Sequence, residues 1–189
     1  MIRASHPELD WTALFDNERP VEIEIGCGKG AFLLEYARQH PELNLLGIDN
    51  QPRWVRWIEA RLERAPQPNV RVRCADAALV IARFVRDASV RGYHLYFPDP
   101  WWKRRHHKRR LVQSDLAAQC FRTLQSRGVL HLATDVAERF EEMRRELGGE
   151  PFVVSITDAP TPSGRPLTNF ERKYRAAGRA LYYATFTKP

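Results

Sequence analysis

The sequence contains few cysteines, no long apolar run and no excess of acidic residues. The three cysteines among 189 residues, Cys27, Cys74 and Cys120, are scattered and odd in number, which excludes a disulfide framework and a zinc-binding spacing. No stretch approaches the ~18 apolar residues of a membrane-spanning helix, and the first residues lack the apolar core of a signal peptide. We therefore expect a cytoplasmic protein with reduced thiols, no metal site and no membrane partner.

Basic residues are abundant. The chain carries 30 Lys and Arg against 23 Asp and Glu, a net charge of +7, which favours a polyanionic partner such as nucleic acid. The length and the 43% hydrophobic content predict a single domain over residues 1–189, in which residues 1–20 form a short N-terminal segment.

Short apolar strands alternate with amphipathic helices along most of the chain. This alternation predicts an α/β fold with a mostly parallel, doubly wound sheet and right-handed crossovers. The predicted strands are 21–25, 43–48, 70–74, 93–97, 128–133, 152–156 and 180–187. The predicted helices are 8–15, 31–40, 52–64, 77–87, 114–126, 136–147 and 168–177.

Carboxylates follow four of these strands at the point where each strand ends. They are Asp49, Asp76, Asp99 and Asp135, while the first strand ends in the glycine run 26–30. Because open α/β sheets bind ligands at the carboxyl ends of their strands, we expect these residues to surround one site.

The run Gly26-Cys-Gly-Lys-Gly30 is too weak a signal by itself, but its neighbours indicate a cofactor. Asp49 is placed to take both hydroxyls of a ribose, and Asp76 to take an adenine amino group. Glu24, just before the glycines, suits an ammonium group and would repel a pyrophosphate, which argues against NAD. The set therefore favours S-adenosyl-L-methionine. Helix capping remains an alternative for Asp49 and for Asp76.

The stretch from Tyr96 to Arg110 is the most unusual in the chain. Two prolines bracket Asp99 and end the preceding strand at about Phe97. Two tryptophans and a dense basic run follow, which suits a site that holds a base and its phosphates. A solvated basic loop with a core tryptophan is the alternative. The predicted nucleic-acid phosphate contacts are Arg104, Arg105, Lys108, Arg109 and Arg110.

Four segments together resemble the tRNA (guanine-N7-)-methyltransferase family, TrmB type: Glu24–Gly30, Tyr96–Arg110, Thr134-Asp135 and Thr168–Tyr174. The resemblance covers nearly the whole chain from about residue 21. It implies a Rossmann-like S-adenosyl-L-methionine-dependent methyltransferase fold. It also implies methylation of guanine N7 at variable-loop position 46 of tRNA.

The resemblance also assigns residues. Asp99 is the predicted catalytic residue. Predicted cofactor contacts are Glu24, Gly26, Gly28, Gly30, Asp49, Asp76 and Asp99. Predicted substrate contacts are Lys103, Asp135, Thr168, Asn169, Phe170 and Glu171. The pair Thr168 and Glu171 also matches a helix capping box.

The sequence departs from the family pattern in three places. Trp102 stands where Pro or His is usual, His107 where Asn is common, and Asp49 where Glu is more frequent. The N-terminal arm that some relatives use for tRNA is largely lacking, which bears on the tRNA footprint more than on the chemistry.

Three other functions remain open at this stage. They are methylation of another RNA base, RNA binding without catalysis, and NAD-dependent oxidation. Oligomeric state, monomer or homodimer, also remains open.

Overall fold

The computed structural model describes residues 8–99, 114–160 and 162–189. Among these residues, no helix combines the length and the apolarity that crossing a bilayer requires. In chain order the elements are α1 (Trp11–Phe15), β1 (Val21–Ile25), α2 (Ala31–Gln39), β2 (Asn44–Asp49), α3 (Pro52–Arg64), β3 (Val70–Cys74), α4 (Ala77–Phe84), β4 (Val90–Tyr96), α5 (Ser114–Thr123), β5 (Leu124–Thr134), α6 (Ala137–Leu147), β6 (Val153–Thr157), α7 (Asn169–Ala176) and β7 (Tyr182–Thr187).

The strands form one seven-stranded sheet in the order β3-β2-β1-β4-β5-β7-β6. Strands β1 to β5 pair in parallel, whereas β7 runs antiparallel to both β5 and β6. This confirms the mostly parallel, Rossmann-like sheet. The strand order reverses between β1 and β4, which is where open α/β sheets bind ligands.

Two separate groups of buried side chains cover the two faces of the sheet, as a doubly wound fold requires. On one face, Phe15 of α1, Ile81 of α4 and Met143 of α6 pack against the strands. On the other face, Leu33 of α2 and Ile58 of α3 do the same, and α7 packs beside them. We call this second side the α2–α3 face.

Some element boundaries differ from those expected. The first helix begins at Trp11 instead of residue 8, because the Asp10 side chain accepts a hydrogen bond from the Ala13 N–H and caps the helix there. Strand β5 begins at Leu124 instead of residue 128, because Leu124 is completely buried and pairs with Val90 of β4. Tertiary pairing therefore overrides the helical pattern at 124–126.

Candidate active site

The carboxyl ends of the parallel strands meet at one edge of the sheet, as expected. Register places Asp49 beside Cys74 and Tyr96 beside Ala133. After burial, which is the main cause, the charges of Asp135 and Asp99 both contribute to raising the pKa of Tyr174. Arg179 pairs with Asp135 at 2.8 Å and lies 4.7 Å from the Tyr174 ring centroid, and the Phe97 ring, two residues before Asp99, lies 5.7 Å from the same ring. The ends of β4 and β5 therefore meet at one tyrosine of α7.

The glycine run forms a tight, left-handed turn after β1. Gly26, Gly28 and Gly30 have φ angles of 76°, 51° and 70°, a region that side chains disfavour. A Cβ at Gly26 or Gly28 would meet no atom within 4 Å, whereas one at Gly30 would lie 2.8 Å from Cγ1 of Ile58. The first two glycines therefore border open space, and the third is required for packing of α2 against α3.

Glu24 is a buried carboxyl group beside this open turn. Its Oε2 has no hydrogen-bond partner among the residues that the structure describes. Burial raises the pKa of Glu24 well above its usual value, although the charge of Arg165 opposes the shift and that of Asp49 adds to it. A buried, unpartnered carboxyl oxygen requires a donor, so this site fits the ammonium group of S-adenosyl-L-methionine.

Asp49 and Asp76 both accept hydrogen bonds from backbone N–H groups near the ends of parallel strands. The Asp49 carboxylate accepts hydrogen bonds from the N–H groups of Gly28 and Gln51, each at 2.8 Å. Asp76 caps α4 by accepting from the Leu79 N–H at 3.2 Å. Capping is thus confirmed for Asp76, and Asp49 orders the glycine turn. Their contacts with ribose and adenine stay predictions.

Asp99 is exposed just beyond the end of β4. The turn that leads to it begins at Phe97, whose φ angle is 52° and whose N–H donates to the Ala133 carbonyl at 2.8 Å. The Phe97 ring lies 5.7 Å from that of Tyr174 and 6.4 Å from that of Phe170. The positive φ angle was not expected from the sequence.

The remainder of the proline- and tryptophan-containing block lies outside the described residues. The predicted substrate contact Lys103 belongs to it. So do the predicted phosphate contacts Arg104, Arg105, Lys108, Arg109 and Arg110.

The predicted substrate segment 168–171 divides into exposed and buried residues. Asn169 and Phe170 are exposed, whereas Thr168 and Glu171 are buried. Thr168 and Glu171 form the capping box that was an alternative for them. Since the Glu171 side chain faces the protein interior, a direct contact between Glu171 and substrate stays a prediction that this geometry does not favour.

Arg165, the partner of Glu171, was not expected from the sequence. Two Arg165 nitrogens donate to the two Glu171 carboxylate oxygens, each at 2.7 Å, and the Tyr183 hydroxyl donates to the same carboxylate at 3.0 Å. Burial alone would raise the pKa of Glu171, but the hydrogen bond and charge of Arg165 outweigh it and lower the pKa. The one signal in the sequence is an arginine followed by proline three residues before the capping box.

The same arginine joins segment 165–171 to the sheet. The Arg165 guanidinium stacks over the Tyr96 ring at 4.2 Å from its centroid, near the end of β4. Its charge also acts on Glu24. Arg165 therefore lies between the proposed cofactor end and the proposed substrate end of the site.

A second buried polar group lies beneath the site and was also missed. His94 of β4 places Nε2 at 2.7 Å from Oε2 of Glu22 and Nδ1 at 3.0 Å from the Tyr96 hydroxyl. The His131 ring stacks on His94 at 5.5 Å, and burial together with His94 lowers the pKa of His131 to about 3. These contacts tie β1, β4 and β5 together below the strand ends.

Comparisons with known proteins place the chain among methyltransferases. A family model described as a putative methyltransferase matches residues 18–184. The chain is 39% identical over 184 residues to the tRNA (guanine-N(7)-)-methyltransferase of Aliivibrio salmonicida (strain LFI1238), covering 95% of this chain and 77% of that one. It is 41% identical over 182 residues to that of Vibrio cholerae serotype O1 (strain M66-2), covering 93% and 76%. The chain belongs to the tRNA (guanine-N7-)-methyltransferase family. The family resemblance of the motifs is thereby confirmed.

Solved structures support the fold of this tRNA (guanine-N7-)-methyltransferase family member. The 16S rRNA methyltransferase KamB superposes with a TM-score of 0.69 at 15% identity, over 97% of this chain and 96% of that one. Precorrin-6y C5,15-methyltransferase from Geobacter metallireducens GS-15 gives a TM-score of 0.63 at 14% identity, over 94% and 85%. At these identities the likeness shows the methyltransferase fold alone.

Proposed function

We propose that this chain transfers a methyl group from S-adenosyl-L-methionine to N7 of the variable-loop guanine of tRNA, giving 7-methylguanosine. The observation that carries the proposal is the 39% to 41% identity, over more than nine-tenths of the chain, to relatives named for this activity. The chain acts as one methyltransferase domain, and tRNA is its partner.

The turn after β1 and its neighbours hold the cofactor. Glu24 accepts from the ammonium group, the open side of Gly26 and Gly28 admits the ligand, and Asp49 and Asp76 take the ribose and the adenine. When bound, S-adenosyl-L-methionine supplies an activated methyl group on a sulfonium. The unpartnered Glu24 oxygen and the empty space beside the two glycines support this assignment.

The target base requires positioning but no general base. Guanine N7 carries an in-plane lone pair and no proton, so catalysis rests on orientation and electrostatics. Asp99 accepts hydrogen bonds from guanine N1–H and N2–H, and its negative charge favours the positive charge that develops on the ring. The base must leave its stack to reach Asp99.

The remaining predicted contacts with the substrate are placed around Asp99. Asn169 and Phe170 are the exposed residues of the 168–171 segment, and they contact the substrate beside Asp99. Asp135 is ion-paired with Arg179 at 2.8 Å, which keeps this carboxylate oriented at the end of β5. Lys103 contacts the substrate, and Arg104, Arg105, Lys108, Arg109 and Arg110 bind the tRNA phosphates.

Product analysis tests the proposal. The purified chain is incubated with methyl-labelled S-adenosyl-L-methionine and tRNA, and the digested nucleosides are separated. We expect label in 7-methylguanosine, and none with a control tRNA whose variable-loop guanine is replaced by adenine. Label in a methylated adenosine would assign another RNA base methyltransferase. Binding of tRNA without transfer would assign an RNA-binding protein that lacks catalysis.

A further inference from the structure

A groove runs along the α2–α3 face between α2, α3 and segment 166–172. Of the residues that the structure describes, four cations and one carboxylate, Glu35, line its walls, and Leu34 and Leu167 are among the apolar lining residues. The four cations are Lys29, Arg38, Arg61 and Arg172. Such an excess of positive charge in a concave surface attracts a polyanion.

On the α3 wall of this groove, the exposed ring of Trp57 lies beside Lys29 and one helical turn before Arg61. Trp57 leaves 54% of its surface exposed, which is unusual for so large an apolar side chain. The Lys29 ammonium lies 5.2 Å from the Trp54 ring centroid and 6.0 Å from that of Trp57. Exposed rings interleaved with cations are the combination that binds unpaired nucleotides, because the rings stack on bases and the cations contact phosphates.

The arginines of the groove can reach a ligand. Arg38 pairs with Glu35 on the same helix, and both side chains of that pair are substantially exposed, so the pair itself stabilises little. Arg172 is held at the opposite wall by hydrogen bonds to the Leu167 carbonyl at 2.7 Å and to Oδ1 of Asn169 at 2.8 Å. Cations therefore face the groove from both sides.

One end of the groove opens at the proposed active site. Asn169 lines the groove and is also a predicted substrate contact. Lys29 lines it as well and lies between Gly28 and Gly30 of the cofactor turn. A nucleic acid strand whose target base contacts Asn169 can therefore extend into this groove.

We propose that this groove binds the tRNA strand adjacent to the target guanine. Arg38, Arg61 and Arg172 contact its phosphates, and Trp57 stacks on an unpaired base. These groove residues are not part of the basic run 103–110 of the sequence. The inference rests on the proposed function, because it takes tRNA as the substrate.

One double variant in the groove is compared with a matched double variant outside it. Arg38→Ala combined with Arg61→Ala removes two charges from the groove. Arg83→Ala combined with Arg86→Ala removes two charges from exposed positions on and just after α4, on the other face of the sheet. Binding of transcribed tRNA is measured at several salt concentrations, and each variant's melting temperature confirms folding.

We expect the Arg38→Ala, Arg61→Ala variant to bind tRNA about tenfold more weakly. The slope of log K against log salt is negative, and its magnitude should decrease by about 1.4 to 1.8, as the loss of two phosphate contacts requires. The KM for tRNA should rise, whereas the Kd for S-adenosyl-L-methionine should not change. The Arg83→Ala, Arg86→Ala control loses the same net charge outside the groove. Its affinity for tRNA should therefore decrease only slightly. Equal affinity and equal salt slope for the two pairs would overturn the proposal.

Trp57 supplies a test that does not depend on charge. Trp57→Ala should weaken tRNA binding at least about fivefold, the lower end of what one base stack contributes, and Trp57→Tyr should restore most of it. Unchanged binding in Trp57→Ala would refute the stacking role. Formation of 7-methylguanosine by the unaltered chain is scored in parallel. Its absence would refute the proposed function, whereas its presence with normal groove variants would refute the groove alone.

Discussion

Asp99 is exposed at the end of β4, and Glu171, which the family pattern assigns to the same site, is completely buried. Exposure leaves Asp99 available to a ligand. Burial commits Glu171 to Arg165, Thr168 and Tyr183. At the scale of single residues, burial thus distinguishes Asp99, which can contact substrate, from Glu171, which stabilises the surrounding chain.

Replacing Asp99 by alanine should reduce methyl transfer at least about 100-fold, within the range that loss of one charge-stabilising group causes. The melting temperature should stay within about 2 °C of the unaltered chain, because substitutions of exposed side chains usually change stability little. Transfer is measured by product formation and folding by circular dichroism. Glu146→Ala, at an exposed position on α6, is the control, and turnover of Asp99→Ala at the level of this control would exclude the assigned role.

Replacing Glu171 by glutamine should destabilise the chain at neutral pH by about 3 kcal/mol, because the buried Arg165 cation loses its two-oxygen pairing with a buried carboxylate. The folded-state pKa of Glu171 is lowered below its ordinary 4.5, so its stabilising effect is complete above pH 4.5 and is lost as pH falls through the folded pKa. The difference in melting temperature between the two chains should therefore shrink below pH 4.5. A difference that stays constant from pH 7 to pH 3 would contradict this account.

At the scale of elements, the turn between β1 and α2 has two functions at positions two residues apart. Gly28 borders open space, and Gly30 packs against Ile58 of α3. Both have positive φ angles, so any side chain introduces strain at either position. What differs is the space that the new methyl group would enter.

Gly30→Ala should therefore lower the melting temperature more than Gly28→Ala does, since its Cβ would lie 2.8 Å from Ile58 in addition to the backbone strain of about 1–2 kcal/mol. Gly28→Ala should instead weaken binding of S-adenosyl-L-methionine, which isothermal titration measures. Gly178→Ala, with φ of 66° and open space around its Cβ, controls for strain alone. Equal Kd values for S-adenosyl-L-methionine in Gly28→Ala and Gly178→Ala would show that the glycine turn does not contact the cofactor.

At the scale of the whole molecule, the net charge of +7 favours encounter with tRNA. The four cations of the groove on the α2–α3 face contribute to this charge, and the basic run 103–110 adds to it in the sequence. Since phosphate contacts release counterions, the affinity of the molecule for tRNA should fall steeply with salt.

Changing Arg104 and Arg105 together to alanine should make the negative slope of log K against log salt shallower by about 1.4 to 1.8. The Kd for S-adenosyl-L-methionine should not change. Filter binding with tRNA across a salt series measures the slope, and the Arg83→Ala, Arg86→Ala pair is again the control. A slope identical to that of the unaltered chain would remove these two arginines from the interface.

The sequence by itself determined the fold class, the family and the position of the candidate site. Strand and helix periods act over a few residues, so β1 and β3 begin and end at the residues expected. Motifs such as the glycine turn and the proline-bracketed Asp99 are also contiguous. Because parallel strands end at one edge, local signals sufficed to predict that Asp49, Asp76 and Asp99 lie at the same edge of the sheet.

Only the tertiary structure decided which distant side chains meet. Glu22 and His94 are 72 positions apart and pair because β1 and β4 are neighbours in the sheet. Arg165 gave no periodic signal, yet it stacks on Tyr96 of β4 and neutralises Glu171. Burial, and with it the division of carboxylates between structure and chemistry, depends on the packing of whole elements, which no short stretch of sequence encodes.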